Sequence, residues 1–403
     1  MKAVIVSYIY EESGGTKKVI DDILDEYKKR GDTAHLYVIN GPEDINTNYK
    51  NTNQKTYLNN RGEFSFFNTF STLIDSLSDT NPDIIYMILG HCFGALLTAI
   101  FPSQYRKKTI LYYLDPWFTF NNLKSNVRVM AKNFINLRNN FLSTNPVQVY
   151  SPFEKFRSFE KLLGDEVHFA KYYKDVMGII VCSTDMYRFF TKELDVSEKK
   201  VLHLPLYINN NYIKKYNKDD LWLKSYKPIV MYVGRVGSSW KGFGIVLEAL
   251  KELDNFSIDL YMPDETELSL SKYLFQSYGI SNKRVKIYTG LSTNEILFQI
   301  PRMTAMLVPS IAEGFSFTML ESMIVGGITV VGPLYGGPKD VIKNNYNGFT
   351  FKPGDGKDLA KVLTKLLQLN DLELRVIRDN AVKTALTYSF SRYWNTLSTF
   401  FPR

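Results

Sequence analysis

The chain has 403 residues, of which 45% are hydrophobic and 22% are charged. These values are ordinary for globular proteins and exclude disordered and fibrous classes, and the length predicts two or three domains of about 100–200 residues each. The net charge of +8 suits an anionic partner, such as a nucleotide diphosphate, a membrane surface or a nucleic acid, but a solvated basic surface gives the same value.

The cysteines and the apolar runs indicate the compartment in which the protein is expected to reside. Cys92 and Cys182 provide neither a disulfide framework nor a cluster of metal ligands, which fits a reducing compartment. The apolar run at the N-terminus is too short for a secretory signal, and no run of 18 apolar residues predicts a membrane span. We therefore expect a cytoplasmic protein.

Strand and helix patterns alternate through the first half of the chain. A buried strand is predicted at residues 2–10, a loop containing Gly14-Gly15 follows, and residues 17–30 have the apolar spacing of an amphipathic helix. Further strands are predicted at residues 33–40, 83–89, 109–114, 177–182 and 201–206, and the Asn-rich residues 40–61 are predicted to form a loop. This alternation predicts an α/β fold with a parallel sheet.

A second alternation follows the polar residues 209–226, which we interpret as an interdomain linker. Its predicted strands are residues 229–233, 257–262, 285–288, 306–309 and 328–331, and residues 359–401 are largely helical. The simplest architecture is therefore two consecutive α/β domains, residues 1–208 and 227–385.

The strongest candidate site lies between the strand at residues 306–309 and a helix that begins near Ser316. Glu313 lies in the loop, and Glu321 lies between one and two turns into the helix. Ligands of open α/β sheets bind at the carboxyl ends of strands, and the N–H groups of residues 314–317 can bind an anion there. The two carboxylates can then accept hydrogen bonds from a hexose and from a ribose, although an isolated pair would be two solvated glutamates.

A second candidate loop spans residues 230–244. Gly234-Arg235 ends a strand, and Lys241-Gly242 opens the next helix. The planar guanidinium group of Arg235 and the ammonium group of Lys241, on either side of a Gly/Ser loop, can bind the same diphosphate. The glycines of the loop favour this interpretation over two unrelated surface cations, because close approach to a ligand requires missing side chains.

Two further glycine-rich segments give weaker signals. Gly14-Gly15 is similar to a phosphate-cradling turn, but a full G-x-G-x-x-G pattern is absent. Residues 335–338 contain Gly336-Gly337-Pro338 and are predicted to form a turn, and two more turns follow at Asn347-Gly348 and Gly354-Asp355. A purely structural role is enough to explain most of these turns.

In this order, the four loops resemble those of glycosyltransferase family 4, whose members are retaining enzymes with the GT-B fold. The most specific part is the segment from Glu313 to Glu321, which is similar to the family's E-x7-E motif. The resemblance is dense from residue 229 to residue 355 and patchy over the first 200 residues. It implies two Rossmann-like domains that face each other across a cleft: an N-terminal acceptor-binding domain and a C-terminal donor-binding domain, with a last helix at about residues 386–403 packed back on the first.

The resemblance also implies residue roles. Arg235 and Lys241 would hold the diphosphate, Glu313 would contact hydroxyl groups of the donor sugar, and Glu321 would bind the ribose. Gly14 and Gly15 would lie against the donor phosphate and the acceptor, and the loop from Tyr288 to Gly290 would lie near the base. The remaining predicted donor-binding residues are Gly234, Gly314, Phe315 and Ser316.

The chain departs from the family pattern in two places. Many members have a histidine after an N-terminal strand, near the donor sugar; here the comparable segment has Asp115, and His91 is the other candidate. We keep both as acceptor or donor-sugar candidates, although His91 could equally be a buried core histidine. Lys339-Asp340 stands where a glutamate is common.

These features together predict a retaining hexosyltransferase that uses a nucleotide diphosphate sugar and a glycan, lipid-linked or protein-linked acceptor, as in polysaccharide biosynthesis. The sequence contains no D-x-D, so we expect no metal or other cofactor, with basic residues in the metal's place. No nucleic-acid partner is expected. A glycosidase-like carboxylate pair, a nucleotide-sugar epimerase and a non-catalytic nucleotide-sugar-binding subunit are the alternatives.

The basic and aromatic residues 121–164 are the candidate acceptor or membrane element. Lys124, Arg128 and Lys132 share one helical face, and apolar residues are interleaved with the basic ones: Val127, Met130, Phe134, Leu137 and Phe141. Such a stretch can lie on anionic lipid at the inner face of a membrane. A surface helix packed on the N-terminal sheet is an equal alternative.

Overall fold

The structure is a computed structural model, and it describes residues 1–7, 15–39, 55–58, 66–88, 100–114, 134, 136–141, 143, 172–208 and 228–401. These residues form an α/β protein with two parallel sheets, which confirms the predicted fold class. Within the described residues, no helix combines the length and the apolar character needed to cross a bilayer.

The first sheet has seven strands in the order β3-β2-β1-β4-β5-β6-β7, and every neighbouring pair is parallel. Its strands are β1 Lys2–Ser7, β2 Thr33–Val38, β3 Lys55–Tyr57, β4 Ile84–Ile88, β5 Thr109–Tyr113, β6 Gly178–Val181 and β7 Val201–His203. Most central strands read as continuous apolar runs because a parallel sheet is buried on both faces. The helices of this half are α1 Gly15–Lys29, α2 Phe66–Thr80, α3 Ser103–Arg106 and α4 Thr184–Arg188.

The second sheet has six strands in the order β10-β9-β8-β11-β13-β15, and β12 pairs separately with β14. The strands are β8 Ile229–Val233, β9 Ser257–Met262, β10 Val285–Thr289, β11 Ala305–Val308, β12 Ala312–Glu313, β13 Thr329–Val331, β14 Tyr335–Gly336 and β15 Phe349–Thr350. The helices are α5 Phe243–Lys251, α6 Leu268–Ser277, α7 Thr293–Gln299, α8 Phe317–Ile324, α9 Gly337–Val341, α10 Gly356–Gln368, α11 Asp371–Leu386 and α12 Phe390–Phe400.

Three local predictions were wrong. Residues 335–338, which were predicted to form a turn, form β14 and the start of α9. The predicted loop at residues 40–61 contains β3, which pairs with β2 at the edge of the first sheet. A strand of three residues is too short to show the apolar alternation that predicts a strand. Glu313 lies in a short strand and not in an open loop, because β12 pairs with β14.

The last helix, α12, packs on the first sheet. The Tyr393 hydroxyl donates a hydrogen bond to the Tyr112 hydroxyl at 3.0 Å, and the Trp394 ring lies edge-on to Tyr27 with centroids 5.4 Å apart. The Ile208 N–H donates to the Tyr388 carbonyl at 2.6 Å where the chain returns to the first domain. One buried apolar cluster therefore runs from the first sheet into the second domain.

Candidate functional site

Two of the predicted loops lie side by side at the carboxyl edge of the second sheet. β8 and β11 are parallel neighbours, so the loop that begins at Gly234-Arg235 emerges beside the segment that leads to Glu313. The Ile311 N–H donates to the Trp240 carbonyl oxygen at 2.9 Å, which joins the two loops directly. This edge is where open α/β sheets bind ligands.

A lysine and a glutamate from these loops form an ion pair. Lys241 Nζ lies 2.9 Å from Glu313 Oε2 and 3.1 Å from Oε1. The Glu313 side chain is 10% exposed and the Lys241 side chain is 48% exposed. The carboxylate is thus covered, and the ammonium group lies at the surface of the site. This contact joins a residue predicted to hold a diphosphate to one predicted to bind a sugar.

Gly242 allows the two loops to approach each other. Its φ of +70° is in the left-handed region that favours glycine. A Cβ atom at this position would lie 2.1 Å from the Pro309 carbonyl oxygen, which is closer than any real contact. A side chain at Gly242 would therefore displace either Lys241 or the segment that carries Glu313.

Arg235 has different acidic neighbours from Lys241. Burial raises the pKa of Asp264, but hydrogen bonds from Thr266 and the charge of Arg235 lower it, and the net shift is downward. The charge of Arg235 also acts on Glu267. The structure therefore brings Lys241 to Glu313 and places Arg235 next to acidic residues that follow β9.

Glu267 is a supporting residue that the sequence analysis missed. Its Oε2 atom accepts hydrogen bonds from the backbone N–H groups of Val236 at 2.5 Å and Gly237 at 3.0 Å. Burial raises the pKa of Glu267, although these N–H groups and Arg235 oppose the shift. The residue follows β9, the neighbour of β8, so inspection of every strand end at this edge would have found it.

Tyr232 and Arg138 also form hydrogen bonds with the backbone of the loop that carries Lys241. The Tyr232 hydroxyl lies 3.1 Å from the Arg235 carbonyl oxygen and 3.4 Å from that of Lys241. Burial raises the pKa of Tyr232 well above its ordinary value, so the hydroxyl stays a donor. Arg138, which is buried, donates through Nη1 to the Gly237 carbonyl oxygen at 3.1 Å.

Arg138 belongs to the candidate membrane element, residues 121–164, and apolar residues of this element pack on the second domain. Phe134 and Phe141 are buried in the core of the second domain, and Leu137 packs against that core. The apolar side of the described part of this stretch therefore packs on the second domain, where the sequence analysis had considered the N-terminal sheet. The basic residues of the proposed lipid face lie outside the described residues: Lys124, Arg128 and Lys132.

The helix after Glu313 begins at Phe317, as the sequence analysis expected within one residue. The Ser316 hydroxyl accepts from the Met319 N–H at 3.2 Å and so caps α8. The Phe315 ring is buried against Tyr388, with centroids 5.6 Å apart. Both side chains are used within the protein, so any ligand contact at Gly314, Phe315 or Ser316 comes from backbone N–H groups of the helix start.

Glu321 meets a cation from the other domain. Lys18 Nζ lies 3.2 Å from Glu321 Oε1 and 4.5 Å from the centroid of the Phe317 ring. A Cβ atom on Gly15 would lie 3.0 Å from the same ring, so the start of α1 meets the start of α8. The sequence analysis singled out Gly14 and Gly15 but missed Lys18, which lies about one turn into α1.

The predicted base region lies at the far edge of the sheet. Tyr288 is the penultimate residue of β10, and β9 and β8 lie between β10 and β11, the strand that leads to Glu313. Its ring stacks on Tyr261, with centroids 4.6 Å apart and an interplanar angle of 13°. Gly290 follows with a φ of +67°. Three predicted site residues lie outside the described residues: Gly14, His91 and Asp115.

The acidic residues of the site are dispersed. Among the residues that the structure describes, no three His, Cys, Asp or Glu side chains are grouped as metal ligands would be. The charges at this edge are organised as cation–carboxylate contacts instead, with Lys241 on Glu313 and Lys18 on Glu321.

We expect Glu267→Ala to lower the free energy of unfolding by about 2–4 kcal/mol, because two buried N–H groups lose their acceptor. Glu267→Gln retains an acceptor oxygen and should cost less. Urea unfolding measures both, with the exposed Glu265→Ala as the matched control. Equal losses in the Ala and Gln variants would show that hydrogen bonding by Glu267 does not hold the loop.

Comparison with known proteins gives a family match and several partial relatives. Residues 214–383 match the family described as glycosyl transferases group 1. The sucrose synthase of Denitrovibrio acetiphilus is 32% identical over 96 residues, which are 23% of this chain and 12% of that protein. The sucrose synthase of Thermosynechococcus vestitus is 33% identical over 63 residues, 16% of this chain and 8% of that protein. The matches thus span only a small part of these longer relatives.

Solved structures match the whole chain. Sucrose-phosphate synthase from Thermosynechococcus elongatus superposes with a TM-score of 0.73 at 14% identity, covering 100% of this chain and 98% of that one. Anabaena HepE in complex with UDP and glucose gives 0.68 at 15% identity, with 99% and 98% covered. A glycosyltransferase from Rickettsia africae gives 0.67 at 16% identity, with 99% and 97% covered. Residues 214–383 therefore match the family described as glycosyl transferases group 1, and the chain as a whole has the GT-B fold of the solved structures.

Proposed function

We propose that this protein transfers a hexose from a nucleotide diphosphate sugar to a glycan, lipid-linked or protein-linked acceptor. The observation that carries the proposal is the Lys241–Glu313 ion pair at the carboxyl edge of the second sheet, beside the start of α8. It combines a cation for a diphosphate with a carboxylate for sugar hydroxyl groups. Structures of HepE with UDP and with UDP-glucose support uridine diphosphate sugars as the first donors to test.

The reaction breaks the anomeric C–O bond, so negative charge grows on the departing diphosphate. Lys241, Arg235 and the N-terminus of α8 lie at one sheet edge and supply fixed positive charge and N–H donors for it. Since these groups can take the role of a bridging metal, we propose that the reaction needs no divalent ion.

Glu313 and Glu321 are proposed to position the donor. Each carboxylate contacts a lysine and retains lone pairs, because a carboxylate offers about four acceptor sites. Glu313 would accept from sugar hydroxyl groups and Glu321 from the ribose. We further propose a retaining course, in which the leaving phosphate takes the proton of the acceptor on the face from which it departs.

Incubation with a panel of nucleotide sugars tests the reaction class. We expect release of nucleotide diphosphate with at least one donor, starting with uridine diphosphate sugars, and the same rate with and without EDTA. A loss of release in EDTA would contradict metal independence. Tight nucleotide binding without release from any donor would instead favour a non-catalytic nucleotide-sugar-binding subunit, and an epimerised sugar would favour an epimerase.

We expect Arg235 and Lys241, at the carboxyl edge of the second sheet, to contribute more to the rate of transfer than to the stability of the fold. Arg235→Ala and Lys241→Ala should each lower kcat by about 10²–10³-fold, because each removes charge that stabilises the developing diphosphate. Lys251→Ala is the matched control, since Lys251 is an exposed lysine at the far end of α5. Steady-state kinetics and thermal unfolding measure both effects, and equal kcat values in all three variants would remove the proposed roles.

A membrane surface remains a proposal for the basic face of residues 121–164. Arg128→Glu with Lys132→Glu should weaken binding to anionic vesicles by about tenfold or more, because each basic residue near such a surface contributes about 1 kcal/mol. Lys107→Glu with Lys199→Glu reverses two exposed charges elsewhere and is the control. Unchanged sedimentation with the vesicles would exclude the lipid role.

A further inference from the structure

The backbone of Glu313 is shaped by a neighbouring strand. β12 pairs with β14, which places Glu313 opposite Gly336. Gly336 has a φ of +109°, and a Cβ atom there would lie 1.4 Å from the Glu313 carbonyl oxygen. The next residue, Gly337, donates its N–H to the Gly314 carbonyl oxygen at 3.0 Å. The position of Glu313 therefore follows the position of Gly336.

Gly336 is itself held by a carboxylate from the other domain. Its N–H donates to Asp185 Oδ2 at 3.0 Å, and Lys339 Nζ lies 3.0 Å from the same oxygen. Asp185 belongs to α4, which follows β6 of the first sheet. In the opposite direction, the Thr184 N–H donates to Asp340 Oδ2 at 2.8 Å. We call these five residues the interdomain clasp.

The clasp differs from an ordinary surface ion pair. Exposed ion pairs contribute little, and the Lys339 side chain is 44% exposed. The Asp185 side chain is 21% exposed, and it also accepts from a backbone N–H that belongs to the strand beside Glu313. A hydrogen bond from a backbone N–H to a carboxylate is stronger than one between neutral groups. The part of the clasp that reaches the site is therefore the Asp185–Gly336 bond and not the Lys339 ion pair.

We propose that Asp185 is a positioning residue, which fixes Gly336 and through it Glu313 across the contact between the two domains. The inference rests on the proposed function, in which Glu313 holds the donor sugar. Asp185 would act on the grip on the sugar, whereas the proposed diphosphate cations, Arg235 and Lys241, belong to a different loop. Loss of Asp185 should therefore impair transfer more than nucleotide binding.

The variants separate the two bonds of Asp185. Asp185→Ala removes both; Asp185→Asn retains an acceptor for Gly336; Lys339→Ala removes only the ion pair. We expect Asp185→Ala to lower kcat on the order of 10–100-fold, because small misplacements of reacting groups have effects of this size. Donor KM and the Kd for the nucleotide diphosphate should change little. Asp185→Asn and Lys339→Ala should stay close to the wild type, as should Glu198→Ala, which breaks the exposed ion pair with Lys192 in the same domain.

Amide hydrogen exchange tests the positioning without any reaction. Asp185→Ala should speed exchange in peptides that cover residues 311–316 and 335–337, and the other three variants should not. Unchanged exchange in Asp185→Ala would overturn the inference. Faster exchange in Asp185→Ala with an unchanged kcat would also overturn it, and so would equal effects of Asp185→Ala and Lys339→Ala. Faster exchange in a protein that turns over no donor would leave the positioning intact and contradict the proposed function instead.

Discussion

The arrangement of this site depends on keeping the Glu313 carboxylate paired beneath the Lys241 ammonium group. A charge that is largely removed from water is costly unless a partner and good geometry compensate, and such pairs contribute little net stability. The pairing joins loops from two neighbouring strands, so it depends on how closely their backbones approach each other. Gly242 and Gly336 make this possible, since each allows a second backbone to come closer than a Cβ atom would permit.

The supports of this pair come from distant parts of the chain. Tyr232, Glu267 and Arg138 bind the backbone of the loop that carries Lys241, and each uses a buried polar group for it. Asp185 acts on the opposite side through Gly336. Buried polar groups of this kind specify one arrangement when all are satisfied, because leaving any of them unpaired is costly. The loops are thus held as parts of a fixed frame.

The sequence predicted the features that depend on short-range patterns. The strand ends predicted that Arg235, Lys241 and Glu313 lie at one sheet edge, where the structure has them. The apolar spacing of α1 predicted its apolar face, of which Leu24 is partly buried and four residues are buried: Val19, Ile20, Ile23 and Tyr27. Pairing over long separations left no such pattern: Lys18 lies 303 residues from Glu321, and Asp185 lies 151 residues from Gly336. The apolar face around Phe134 and Phe141 was visible, but an amphipathic pattern shows only that a face is covered and does not identify what covers it.

The distribution of these supports also explains why the resemblance is uneven along the chain. The family match covers residues 214–383, which contain the cations, both glutamates and the strands that position them. Lys18, Arg138 and Asp185 lie outside that range, yet each contacts a residue within the site or its loops. In the proposed function, the cations and glutamates that hold the donor all lie in the part of the chain that matches the family. Contacts across the cleft are then the places where the first domain can act on these proposed donor-binding residues of the second.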